Sequence, residues 1–180
     1  GQCVTTSRIR HIYLTGFMGA GKSTVGRALG QRLGWFFLDL DASVAERCQM
    51  SIPQIFAERG QEWFRQQEHD ALAAIPGRTN TVVAVGGGGL ERPDNRRLMR
   101  QRGVTVWLDV PFSLILQRLD DGGRRIRPLF SDEAAAHQLF DERRLRYARA
   151  DHVVQIRTER EPEAVADDIL DLIGKQKCAI

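Results

Sequence analysis

Residues 16–23 read GFMGAGKS, so Gly16, Gly21, Lys22 and Ser23 stand at Gly-x4-Gly-Lys-Ser spacing. Each residue type has a task in such a run. Glycines, here Gly16, Gly19 and Gly21, let a backbone turn where a Cβ would clash, so that successive N–H groups converge on an anion. A lysine reaches β- and γ-phosphates as a point charge, and the adjacent serine hydroxyl serves a Mg²⁺ ion that also touches the nucleotide. The apolar run Ile12-Tyr13-Leu14-Thr15 precedes the loop, and Val25, Leu29 and Leu33 follow it at helical spacing. Strand, glycine loop and helix is the context in which this motif binds a nucleoside triphosphate. The free N–H groups and dipole of the helix start face the same phosphates.

Two carboxylates follow, Asp39 and Asp41, at the end of a strand expected over Phe36–Leu40. Side chains alternate along a strand, so the pair is expected on one face at the mouth of the phosphate site. One would act on Mg²⁺, directly or through water, and the other would accept a proton from an attacking hydroxyl. The plainer reading is a cap, with Asp41 or Ser43 opening a helix over Val44–Cys48. Within residues 52–75 a helix is expected in which Phe64, Ala71, Leu72 and Ile75 share a stripe with Glu68, and Arg65 lies three residues before Glu68. Spacing alone favours an ordinary exposed pair worth about 0.3 kcal/mol. The functional reading is that Glu68 pins the Arg65 guanidinium to grip a substrate carboxylate bidentately. Residues 81–89, TVVAVGGGG, end an apolar strand in four glycines, so something approaches that backbone closely or the backbone offers bare N–H groups. Arg143 shares a helix face with Ala136, Phe140 and Tyr147; it should point inward or into a cleft, where it needs an anion.

The elements that must position these residues alternate. Strands are expected at His11–Thr15, Phe36–Leu40, Thr81–Val85, Val104–Asp109 and His152–Ile156, with helical patterns between them. Several strands are apolar throughout, as parallel strands buried on both faces are. Such alternation implies a doubly wound α/β sheet with right-handed crossovers, whose ligands sit at the strands' carboxyl ends. Leu90–Arg102 reads as a solvated helix without chemistry. Residues 120–133, DDGGRRIRPLFSDE, have neither helical nor strand period and read as a lid loop, with Arg127 among its cations and Arg124 and Arg125 as solvated charges. Ser131 is expected to cap the next helix. The last helix, about Glu163–Ile173, reads as packing.

At 180 residues the chain is expected to form one domain. Its net charge is +3, but the arginines gather in 118–127 and 143–149 rather than along a stripe, which suits a pocket for small anions better than a nucleic-acid groove. Cys3, Cys48 and Cys178 lack zinc or disulfide spacing, and His11, His69, His137 and His152 lack metal spacing. No run is apolar enough for a membrane span and no secretory leader is visible, so a cytoplasmic location is expected.

Taken in order, GFMGAGKST (16–24), LDLD (38–41), IFAERGQEWFRQQE (55–68), VGGG (85–88) and RPL (127–129) make residues 9–175 resemble the shikimate kinases. The resemblance implies a three-layer P-loop kinase fold, like that of the nucleoside monophosphate kinases. Its five-stranded parallel sheet would run in order 2-3-1-4-5, with a substrate-binding segment near 41–75 and a closing lid near 120–133. It implies transfer of the γ-phosphoryl of ATP to the 3-hydroxyl of shikimate with one Mg²⁺ ion. Its partners would be ATP, ADP and shikimate, with no nucleic acid or membrane, and the chain would be a monomer. By similarity, Asp41, Arg65, Gly87 and Arg143 hold shikimate, and Asp41, Lys22 and Arg127 are catalytic. Gly19, Ala20, Gly21, Lys22, Ser23, Thr24, Arg118, Arg127 and Arg160 contact ATP, Pro162 packs by the adenine, and Ser23 and Asp39 serve the metal. The chain departs from the family's Arg-x-Pro-Leu-Tyr at Arg143-Arg144-Leu145-Arg146-Tyr147, where the proline is absent. The carboxylate grip is placed on Arg143, with Arg144 and Arg146 as alternatives. Rival readings are a gluconate or nucleotide kinase, or a non-catalytic nucleotide-binding regulator.

Overall fold

The structure is a computed structural model in which residues 9–17, 19–122 and 132–178 are described. The strands are β1 (His11–Thr15), β2 (Phe36–Asp39), β3 (Thr81–Ala84), β4 (Gly103–Asp109) and β5 (His152–Gln155). The helices are α1 (Lys22–Leu33), α2 (Leu40–Cys48), α3 (Ile52–Arg59), α4 (Gln61–Ala74), α5 (Pro93–Arg102), α6 (Phe112–Gly122), α7 (Glu133–Tyr147) and α8 (Pro162–Cys178).

All strand pairs are parallel and the sheet order is β2-β3-β1-β4-β5, as the resemblance implies. The alternation of strand side chains divides the core in two. Ile12, Leu14 and Val82 point into one apolar layer with Leu29, Ile115, Phe140 and Ile169, under α1, α6, α7 and α8. Tyr13, Val83 and Val85 point into the other, with Leu40, Val44, Phe64, Leu72 and Met99, under α2, α4 and α5. Strands β1 and β3 are buried along their whole length, whereas the edge strand β2 leaves Phe36 70% exposed. A parallel sheet covered on both faces explains the central apolar runs; the edges have a neighbour on one side only.

Three expectations need correction. Strand β2 ends at Asp39, and the chain turns at once into α2, so Asp41 lies in a helix's first turn and not on a strand. The cause is Asp39 itself: its Oδ1 accepts from the Ala42 N–H at 3.2 Å, a cap that starts α2 well before Val44. Second, α7 is capped by Asp132, whose Oδ1 accepts from the Ala135 N–H at 3.1 Å; Ser131 lies outside the described residues. Third, α5 is not wholly solvated, since Asn95 and Met99 on it are buried.

Candidate active site

Between β1 and α1 the phosphate loop has the backbone its glycines allow. Gly16, Gly19 and Gly21 have φ of +152°, +82° and +91°, which side-chain-bearing residues avoid. Gly21 is the N-cap of α1 and, among the described residues, no side chain caps that helix, in contrast to α2, α3 and α7. The first N–H groups of α1 are therefore left for an anion. Lys22 Nζ donates to the Gly16 carbonyl at 2.8 Å, which draws the ammonium back over the loop. A cleft of about 630 Å³ opens here, lined by Gly19, Ala20, Gly21, Lys22, Ser23 and Thr24 and, on its far side, by Arg118, Arg160 and Pro162.

Asp39 and Asp41 line the same cleft. Although they sit on different elements, the turn between β2 and α2 keeps both there. Ser23 Oγ donates to Asp39 Oδ2 at 3.1 Å. Asp41 goes the other way: a Cβ on Gly86 would stand 2.8 Å from its Oδ1. Burial, ahead of repulsion from Asp39, pushes the Asp41 carboxyl above its ordinary pKa, while Lys22, Arg65 and Arg143 pull it down. A carboxylate so placed is a better base than one in water.

Beyond Asp41 lies a cage of cations on a glycine floor. A Cβ on Gly87 would stand 2.7 Å from Arg143 Nη1 and 3.1 Å from the Tyr147 hydroxyl, and one on Gly88 would fall within the Arg65 guanidinium. None of Gly86 to Gly89 has a left-handed φ. The run is glycine because Asp41, Arg143 and Arg65 lie on it. Arg65 Nη1 donates to Glu68 Oε1 at 3.1 Å, and Glu68 is fully buried. Among the described residues its Oε2 has no hydrogen-bond partner, nor do Arg65 Nε and Arg143 Nε. An ordinary surface pair would not be buried in this way, so the exposed pair that spacing alone favours is not what the fold contains. Arg143 also lies 5.9 Å from the Phe17 ring of the phosphate loop, so one side chain touches both halves of the site. The neighbouring arginines are directed elsewhere. Arg144 packs over Trp107 and Phe140 and stands 3.6 Å from Asp109, and Arg146 pairs with Glu91.

The remaining expected contacts divide. Arg118 donates to the Gly19 carbonyl at 2.9 Å and to Glu159 at 2.6 Å; Arg160 pairs with Asp168 at the rim of the cleft. Residues 123–131 of the proposed lid, Arg127 among them, lie outside the described residues; the expected lid is too long at both ends, since residues 120–122 continue α6 and Glu133 begins α7. Glu159 was not foreseen, because the charged run RTERE before α8 has no period to read. Among the described residues no group of three or more His, Cys, Asp or Glu could hold a metal, and no helix is long and apolar enough to cross a membrane.

A parallel sheet in this order, with an uncapped helix behind a Gly-x4-Gly-Lys-Ser loop, defines a P-loop kinase fold. Comparison with known proteins narrows the class. The family model for shikimate kinase matches residues 18–174. The chain is 44% identical over 167 residues to the shikimate kinase of Synechococcus sp. strain CC9605, spanning 91% of this chain and 82% of that one. Among solved structures, shikimate kinase from Acinetobacter baumannii in complex with shikimate superposes with a TM-score of 0.82 at 35% identity, covering 94% of this chain and 95% of that one. Shikimate kinase from Aquifex aeolicus does so with a TM-score of 0.76 at 36% identity, covering 94% and 99%. The chain belongs to the shikimate kinase family.

Proposed function

We propose that this chain transfers the γ-phosphoryl of ATP to the 3-hydroxyl of shikimate, giving shikimate 3-phosphate and ADP. The observation that carries the reading is the position of Asp41. Its carboxylate lines the phosphate cleft, rests on the glycine floor, and feels Lys22 on one side and Arg65 and Arg143 on the other. A hydroxyl held beside it by a carboxylate grip would face the γ-phosphate.

Each group then has one task. Arg65 and Arg143 hold the ring carboxylate, with Gly87 beneath the ring. Each charge-assisted bond is worth about 1.5–3 kcal/mol, enough to fix the hydroxyl about 3–3.5 Å from phosphorus. Asp41 takes the hydroxyl proton as the new O–P bond forms, and the bond from γ-phosphorus to the β-bridging oxygen breaks to release ADP. Lys22 and the N–H groups of residues 19–24 stabilise charge on the phosphates. Ser23 Oγ and Asp39 Oδ2, 3.1 Å apart in the cleft, are oxygen donors of the kind Mg²⁺ takes. A bound Mg²⁺ would be held there, directly or through water, and would neutralise phosphate charge. Arg118, Arg160 and Pro162 would flank the nucleotide, and Arg127 would arrive with a lid between α6 and α7. The chain acts as a single domain and a monomer in the cytoplasm.

The test is ADP release measured with shikimate, gluconate and nucleoside monophosphates in parallel, on the wild type and Asp41→Asn. Shikimate alone should support turnover. Asp41→Asn should keep ADP affinity within about twofold while losing at least about a hundredfold in turnover, the scale of general-base catalysis. Turnover with gluconate or a nucleotide in place of shikimate would overturn the reading.

A further inference from the structure

The geometry points to Asn95 as a positioning residue that sets the height of the glycine floor against helix α4, and so the pose of Arg65. It rests on the reading above, in which Arg65 grips the substrate carboxylate.

Helix α5 is a basic, solvated helix at most of its positions, yet Asn95 is fully buried. A buried amide on such a helix must be occupied on both sides. Its Nδ2 donates to the Gly89 carbonyl at 3.0 Å. A carbonyl only accepts, so this contact fixes the amide's orientation and leaves Oδ1 as the acceptor on the other side. That oxygen lies 2.6 Å from Nδ1 of His69 on α4, which therefore carries the proton and donates.

His69 is next to Glu68 in the chain, and Glu68 holds Arg65. The Arg65 guanidinium in turn rests on Gly88, the neighbour of Gly89. Helix α4 thus meets the floor twice: in front through Arg65 on Gly88, and behind through His69, Asn95 and the Gly89 carbonyl. Front and back contacts together close a ring. Because Gly88 has no room for a Cβ beneath Arg65, a small rise or fall of the floor changes where the guanidinium can lie. A second, more exposed brace runs beside the first. Arg92 binds both oxygens of Asp94, at 3.0 and 2.6 Å, and donates to Gln66 Oε1 of α4 at 3.2 Å. The first link is the more buried of the two: Asn95 is fully buried, and so is its bond to the Gly89 carbonyl.

Asn95→Asp is the decisive variant. It keeps the shape and still accepts from His69, but as a carboxylate it cannot donate to Gly89. It should raise KM for shikimate about tenfold with KM for ATP within about twofold, within the range for coupled neighbours. In an Arg65→Ala background the same change should have little further effect on shikimate. His69→Gln, which restores a donor toward Asn95, should retain near-normal shikimate KM, whereas His69→Ala should not. Equal effects on both substrates, or full additivity with Arg65→Ala, would overturn the proposal and leave Asn95 a packing residue. If Asn95→Asp does not fold, the contrast between the two His69 variants decides by the same criteria. Failure of the underlying reading is separate: Arg65→Ala alone would then leave shikimate KM unchanged.

Discussion

Two glycine runs face one another across this site, and they are glycine for different reasons. In the phosphate loop Gly21 has φ of +91°, and among the described residues the nearest atom to a Cβ built there is Arg118 Nη1 at 3.8 Å. At Gly21 space is available and conformation is the constraint. In the floor, Gly88 has no left-handed φ, but a Cβ there would fall within the Arg65 guanidinium. Conformation is ordinary; space is the constraint. One run shapes its backbone so that N–H groups can meet phosphate. The other removes its side chains so that Asp41, Arg143 and Arg65 can lie flat on it.

The contrast makes a crossed prediction. Asn enters the left-handed region more readily than Ala, whereas it is larger than Ala. At Gly21, Ala should cost about 1–2 kcal/mol in the ligand-free protein, or roughly 2–8 °C in Tm, and Asn should cost less. At Gly88 the order should reverse. Ala should raise shikimate KM at least about a hundredfold, by displacing a charge-assisted grip, and Asn should be worse. Thermal unfolding and the KM for each substrate give both readings. The same rank order at both positions would break the distinction.

That difference also explains what the sequence could reveal. The phosphate loop is contiguous: its motif, strand and helix occupy neighbouring residues, so its geometry follows from spacing. Strand limits were legible to within a residue, because a buried parallel strand is an apolar run with sharp ends. The glycine run showed that its backbone was approached, but not by what, since Asp41, Arg65 and Arg143 arrive from three helices. Asp41 lines the cleft but from a helix and not from the expected strand, because the cap at Asp39 turns the chain one residue before the alternation could place it. Asn95 left one trace, its i,i+4 spacing to Met99, which was hidden among the arginines of α5. For the departure at 143–147, sequence left Arg143, Arg144 and Arg146 open; the fold separates them by what each side chain meets.

The separation supports a second, smaller prediction about the cage. Arg143→Ala should raise shikimate KM by about 10- to 100-fold, the worth of one charge-assisted bond. Arg146→Ala removes a partly exposed pair with Glu91, and such pairs contribute at most about 1 kcal/mol. Its effect on shikimate KM should stay below about fivefold, and Arg144→Ala should resemble it. Comparable losses for all three would mean that the guanidinium over Gly87 is not the one that matters.

The smallest effect concerns a conflict inside the floor itself. Burial, outweighing the attraction of Arg65, raises the Glu68 carboxyl from 4.5 to about 7. The folded protein therefore retains a proton that the unfolded chain gives up above pH 4.5. Stability from this group is fully present below pH 4.5 and is lost as pH rises through about 7. The carboxylate that pins Arg65 appears over the upper part of that window. Grip and stability thus run in opposite directions. From about pH 6 to about pH 8, shikimate KM should fall a few-fold, KM for ATP should change less, and Tm should decline. Glu68→Gln keeps a neutral acceptor for Arg65 but has no proton to lose. It should flatten the Tm profile over this range and hold shikimate KM about fivefold above the wild type's value at pH 8, reflecting the weaker neutral bond. A variant whose profiles still track the wild type's would show that another group titrates, and that the buried carboxylate under Arg65 is ionised throughout.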